Sequence, residues 1–156
     1  MGAFLVLEAS EHARARGAKP LARLAAVANA RSDRKPGAIT ATLAQLWQTI
    51  SPAIHPASAA FISGATGAAA ATAEERTFLE AHRELEVRAT GTHMGHGVEP
   101  QFAMNIALAA LAVGHGTLFP PGETFERPMA GALTQAVVTS VGHWRGEGLA
   151  LVEAVE

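Results

Sequence analysis

The sequence predicts an α/β domain, a mixed and largely parallel sheet of about five strands covered by helices. Three observations lead there. Apolar runs of strand length occur at residues 59–63, 133–140 and 149–155, and another opens the chain at residues 2–7. They are mostly continuous rather than alternating, as strands buried on both faces are. Next, strand-like runs at 59–63 and 85–87 empty into glycine turns, 64–67 and 91–97, that each open a helix-compatible segment. Strand, turn and helix in succession imply parallel neighbours. Finally, 49% of the 156 residues are hydrophobic and only 17% charged, so a single domain must bury much of its surface or hand it to a partner.

Residues 2–7 read as a buried strand whose abrupt start suggests a piece cut from something longer. Residues 8–16 read as a short helix capped by Ser10 and ended by Gly17. Pro20 and the Asn29–Asp33 polar stretch bracket a strand at 20–29, and the charged loop 31–37 looks dispensable. Helix 39–50 follows, with Leu43, Leu46, Trp47 and Ile50 at three- and four-residue spacing and Ser51-Pro52 as its stop. After the strand at 59–63, Thr72 and Glu75 form a capping-box pattern for a helix running to about His82. A helix is expected over 99–113, and its stretch 102–113 is apolar nearly all round, as a doubly buried helix would be. Residues 117–119 read as strand-like, and 133–140 with 149–155 as a hairpin whose glycine-studded tip carries His143 and Trp144.

Composition narrows the function classes. A net charge of −2 and a pI near 6.4 give no reason to expect nucleic acid or an anionic membrane as partner. With no cysteine, the chain supplies neither a disulfide, a thiolate metal site nor a nucleophilic thiol. The opening residues lack the basic region of a secretion signal, and no apolar run reaches roughly 18 residues. A cytoplasmic location is therefore expected.

Chemistry, if any, concentrates at residues 88–100, where two histidines, three glycines and two threonines stand between a strand-like run and the long helix. Glycine lets a backbone approach a ligand, and imidazole handles protons near neutral pH. The bland alternative is a turn whose imidazoles satisfy backbone groups. His93 and His96 make a His-x-x-His pair, but no third residue at ligand spacing accompanies it, so neither a metal nor a cofactor is expected. His143 reads equally as a pocket mouth or a hairpin tip. His12, His55, His82 and His115 read as surface or element-end residues.

The order of elements and several motifs resemble the C-terminal half of the β-ketoacyl-acyl-carrier-protein synthases, condensing enzymes of the thiolase fold. The opening Met1-Gly2-Ala3-Phe4-Leu5-Val6-Leu7-Glu8, then Glu11-His12-Ala13-Arg14-Ala15-Arg16-Gly17-Ala18, looks like the family's Gly-Ala-x-x-Leu-Val-Leu-Glu strand and Glu-His-Ala-x-Ala-Arg-Gly-Ala helix. The family's Lys-Ser-x-x-Gly-His motif aligns with Arg88-Ala89-Thr90-Gly91-Thr92-His93, so His93 takes the second catalytic histidine and Arg88 the supporting lysine. Arginine keeps the charge while a planar fork replaces a compact ammonium. The motif Asn-Ala-His-Gly-Thr aligns with Ser63-Gly64-Ala65-Thr66-Gly67, where Ala65 replaces the first histidine and removes one half of the oxyanion apparatus. An acidic helix position falls at Glu74 or Glu75, and the gate loop at residues 139–148 has lost both its phenylalanines, to Val141 and His143.

The resemblance implies a thiolase-like half over residues 1–156, with 1–19 a bridging strand and helix and 20–156 the C-terminal domain. It implies a parent protein of fatty-acid or polyketide biosynthesis that transfers acyl groups by decarboxylative Claisen condensation, its cysteine lying outside this chain. The implied partners are the N-terminal half of the same protein, an acyl carrier protein, and a second subunit in a homo- or hetero-dimer. The replaced residues imply an alternative, a non-catalytic synthase-like partner of the chain-length-factor kind that shapes an acyl tunnel or binds carrier protein. By itself the 156-residue chain is expected not to condense.

Overall fold

Strands at the centre of this chain carry apolar residues on both faces, and that decides the layering. The computed structural model describes residues 2–64, 67–98, 100–142 and 146–155. In chain order the elements are α1 (Ser10–Ala15), β1 (Arg23–Ala30), α2 (Ala38–Ile50), β2 (Ala59–Ser63), α3 (Ala69–Glu80), β3 (Glu86–Ala89), α4 (Gly91–Met94), α5 (Gln101–His115), β4 (Gln135–Val141) and β5 (Glu147–Glu153). Five strands form one sheet in the order β1-β5-β4-β2-β3. The β2 strand runs parallel to β3 and β4, while β5 is antiparallel to both β4 and β1. The sheet is thus mixed and five-stranded, as the sequence predicts.

Alternate side chains of each strand feed two cores. Phe61, Val137, Leu149 and Leu151 point to the side covered by α2 and α3, where they meet Leu43, Ile50, Phe78 and Leu79. Ala60, Ile62, Val138, Ala150 and Val152 point to the other side, against Ile106, Ala109, Ala112 and Val113 of α5. Phe61 packs its ring 5.5 Å from Trp47 and 5.9 Å from Phe78. His82 does follow the end of α3, yet its half-buried ring joins this cluster 4.4 Å from Trp47.

Several expectations are corrected. Residues 2–7 form no strand: the run is unpaired, with Phe4 99% and Val6 86% exposed while Leu5 packs against the α5-side core. A continuous apolar run specifies burial, but a strand also needs a neighbour to complete its ladder. The Ser10 side chain does not cap α1, which begins at Ser10 itself, one residue earlier than such a cap requires, and takes Ala9 in that role. Thr72 and Glu75 do not form a capping box, because α3 starts at Ala69. Glu75 lies on the helix face shared by Ala71, Phe78 and Leu79 and turns into the protein.

Residues 117–119 form no strand either, since Gly116 in the left-handed region ends α5 and side chains occupy the edge of β3 beside them. The loop 31–37 is not dispensable. Buried Glu147 accepts from Ser32 N at 2.9 Å and Ser32 Oγ at 3.1 Å, and the Arg34 guanidinium donates to Gly142 O at 2.6 Å, which ties that loop to the base of the β4–β5 hairpin. The α5 helix buries one face only, and Leu111 on the other is 48% exposed.

Candidate functional site

Parallel β2, β3 and β4 end on the same side of the sheet, so the loops that follow them gather in one place. Beneath those loops lies a buried polar network. Asn105, 0% exposed in a helix otherwise apolar from Phe102 to Val113, donates through Nδ2 to Ser63 O at 3.1 Å. Its Oδ1 accepts from Thr90 Oγ1 at 2.7 Å and from Gln101 Nε2 at 3.1 Å. One α5 side chain therefore fastens the end of β2 to the end of β3. Gln101 also accepts from Gly97 N at 2.8 Å, which anchors the far end of the glycine turn.

Glu75 supplies the second half of the network. Its Oε1 accepts from Ser63 Oγ at 3.1 Å, from Gly64 N at 3.2 Å and from Thr139 Oγ1 of β4. Burial pushes the Glu75 carboxyl above the usual carboxylate range, against the opposing pull of the donors from Thr139, Ser63 and Gly64. Gly64 has to be glycine for a steric reason: a Cβ there would stand 2.3 Å from Thr139 O. The loop after β2 is thus pinned at its first residue by two elements, α3 and β4.

His93 sits in the single turn of α4, exposed, with its backbone N–H on Thr90 O at 3.2 Å. Its ring lies against Gly122 in residues 116–134, a strap that crosses from α5 to β4. Arg88 is 1% exposed and does not point at His93; no hydrogen bond joins the two among the described residues. The guanidinium instead donates to three carbonyls, Phe119 O at 2.6 Å, Val87 O at 2.7 Å and Arg127 O at 3.1 Å. Burial lowers its pKa, with Glu126 and Glu86 opposing. From the other side of the same strap, buried Glu126 accepts from Ala89 N at 2.6 Å and Gly122 N at 2.7 Å. Arg88 and Glu126 together seal the open edge of β3.

A cleft of about 890 Å³ runs between α3, the β3 edge and the strap. It reaches from Ser63, Glu75 and Gly91 at the strand ends to Arg83 and Arg127 at the opposite end, and His96 rather than His93 lines it. Ala65, where the sequence lost a histidine, and the hairpin tip with His143 and Trp144 lie outside the described residues. Glu74, the other candidate acidic position, accepts from Ile39 N at 2.8 Å and Thr40 N at 3.2 Å and caps the start of α2. Sequence reasoning passed over Asn105, Thr139, Gly122 and Glu126. Only Asn105 carried a local signal, as the one polar residue in a twelve-residue apolar stretch of helix.

No family model matches the sequence, and no curated protein matches it. Solved structures match its fold. The ishigamide ketosynthase/chain length factor aligns with a TM-score of 0.75 and 16% identity, covering 94% of this chain and 41% of that one. A type II PKS acyl-carrier protein in complex with its ketosynthase bound to the hexaketide gives 0.70 and 17%, covering 96% and 42%. The ketosynthase from module 6 of the bacillaene synthase of Bacillus subtilis gives 0.70 and 14%, covering 96% and 34%. The chain therefore has the thiolase-like fold of a part of these proteins and spans less than half the length of each.

Proposed function

We propose that this chain is the C-terminal half of a β-ketoacyl-acyl-carrier-protein synthase-like protein of fatty-acid or polyketide biosynthesis. Its complete form transfers acyl groups by decarboxylative condensation, and the nucleophilic cysteine comes from the N-terminal half. The observation that carries this reading is the joining of the β2 and β3 ends through Ser63, Thr90 and Asn105, which puts the His93 turn beside the Gly64 turn on a ketosynthase-like scaffold. In this reading His93 is the imidazole that serves the developing enolate, exposed here because the surface that would cover it belongs to the other half. Arg88 supports the site through the strap, since its donors are spent on backbone carbonyls and not on a charge partner.

Support for the other half as partner comes from the α5 side. Phe4, Val6, Leu21 and Leu111 are all left exposed there or next to it, an apolar surface of the kind that marks an interface. No helix among the described residues is long and apolar enough to cross a membrane. An acyl carrier protein is the second partner of this reading. The non-catalytic alternative rests on Ala65, whose methyl offers no hydrogen bond to an enolate oxygen.

Decarboxylation of malonyl-carrier protein by the two halves together tests the proposal, with this chain alone as the inactive control. Turnover that collapses with His93→Ala supports acyl transfer. Absence of turnover refutes it and leaves the tunnel-shaping, carrier-binding subunit.

A further inference from the structure

We infer that Gly122, and the Glu126 carboxylate that holds it, are positioning residues for the His93 imidazole: the strap is the plate against which the ring is set. This deepens the reading of His93 given above and rests on it. A Cβ built on Gly122 would stand 2.0 Å from Nε2 and 2.3 Å from Cε1 of His93. Non-bonded heavy atoms settle at about 3.5–4.0 Å, so ring and methyl cannot share that space. Gly122 is not in the left-handed region, so its backbone makes no demand for glycine. What a Cβ would meet is the far end of an exposed side chain, so the ring would have to leave its place.

Two groups keep the plate in place. Glu126, 8% exposed, accepts from Gly122 N at 2.7 Å and Glu123 N at 3.4 Å through Oε2, and from Ala89 N at 2.6 Å through Oε1. One carboxylate thus measures the gap between the strap and the last residue of β3, four residues before His93. Arg88 fixes the strap on either side of that point, at Phe119 O and Arg127 O. The imidazole is held at one end by its own turn, through Asn105 and Thr90, and at the other by a strap tied to the same strand. An exposed histidine side chain otherwise samples several rotamers. Confining it costs entropy that a proton-handling group recovers through orientation.

The test follows the Cε1–Hε1 NMR signals of the seven histidines, with their carbethoxylation rates, in the wild-type chain, Gly122→Ala and Glu126→Gln. Gly122→Ala is expected to shift the His93 signal and to raise its modification rate several-fold, with the other histidines unmoved. Glu126→Gln, which keeps one acceptor oxygen, should act in the same direction by less. A stability cycle adds a second readout: any cost of Gly122→Ala in the wild type, kept small because the ring is the movable end of a side chain, should vanish in a His93→Ala background. An unmoved His93 signal in folded Gly122→Ala, or a stability cost undiminished without the ring, overturns the inference. If Gly122→Ala does not fold, rescue by His93→Ala supports the inference and failure of rescue overturns it. None of these readouts needs turnover, so loss of the condensing reading would leave them standing.

Discussion

The two sides of the sheet are built to different specifications. On one side α2 and α3 close over Phe61, Phe78, Trp47 and eleven or more aliphatic neighbours, and the large side chains there are buried. On the other side α5 is the one long helix, helped by Leu5 and by Leu118, Phe119 and Met129 of the strap, and its inner face packs on small strand residues such as Ala60, Ala136 and Ala150 while Leu111 is half exposed. Phe4 and Val6 approach this second side without being covered. The first side is a finished core. The second is buried at the sheet and apolar but exposed on its outer layer, at Leu111, Phe4 and Val6, where a partner could use the area.

The largest effect expected from this contrast is on the finished side. Phe61→Ala removes a ring that touches both Trp47 and Phe78 and is 0% exposed, so it should cost about 3–5 kcal/mol in urea denaturation. A loss below about 1 kcal/mol would mean that this side is no better packed than the other. Next comes Gly64→Ala at the junction of the two sides. Its new methyl meets the backbone of β4, which cannot swing aside as a side chain can, and a cost in the overpacking range of about 1–3 kcal/mol is expected in the same assay.

The same contrast explains what could be read from the sequence. The strands expected at 59–63 and 149–155, found as Ala59–Ser63 and Glu147–Glu153, were legible because continuous apolar runs mark positions buried on both faces, as most of theirs are. Residues 2–7 carry the same signal and are unpaired, since the pattern states a wish for burial and is silent about who provides it. Glu75 failed for a related reason. Thr72 with Glu75 satisfies a local capping pattern, but the residues that claim the carboxylate, Ser63 and Thr139, lie 12 and 64 positions away. His93 was legible as a turn histidine, whereas Gly122, against which its ring lies, and Glu126, which holds Gly122, are separated from it by the whole of α5 and give no sign of the contact in the sequence.

Glu75 also separates a buried polar group from a buried apolar one by its pH response. Burial raises its folded-state pKa, so the folded chain holds the proton more tightly than the unfolded chain. Stability from this group is then greatest below the unfolded carboxylate pKa and declines as pH rises from there through the raised folded value. Urea midpoints taken across that window should fall for the wild type more than for Glu75→Gln, which carries no titrating proton. Parallel curves for the two proteins would show that the ionised carboxylate is tolerated within the Ser63, Gly64 and Thr139 donors.

The smallest expected effect gives the sharpest comparison, because it uses one residue type on both sides. Leu43 is 0% exposed between α2 and the sheet, and Leu111 is 48% exposed on the outer face of α5. Leu43→Ala should cost about 2–5 kcal/mol through lost transfer energy and the cavity left behind. Leu111→Ala should stay within about 0.5 kcal/mol, since nothing among the described residues closes over it. If the proposed assembly holds, mixing with the N-terminal half should reverse that indifference: the Leu111 substitution should weaken the pairing while the stability of the isolated chain is unchanged, as read by sedimentation at matched concentrations. Equal costs for the two leucines in the isolated chain would mean that copies of it already cover α5, and the outer face would then be an interface of this chain with itself.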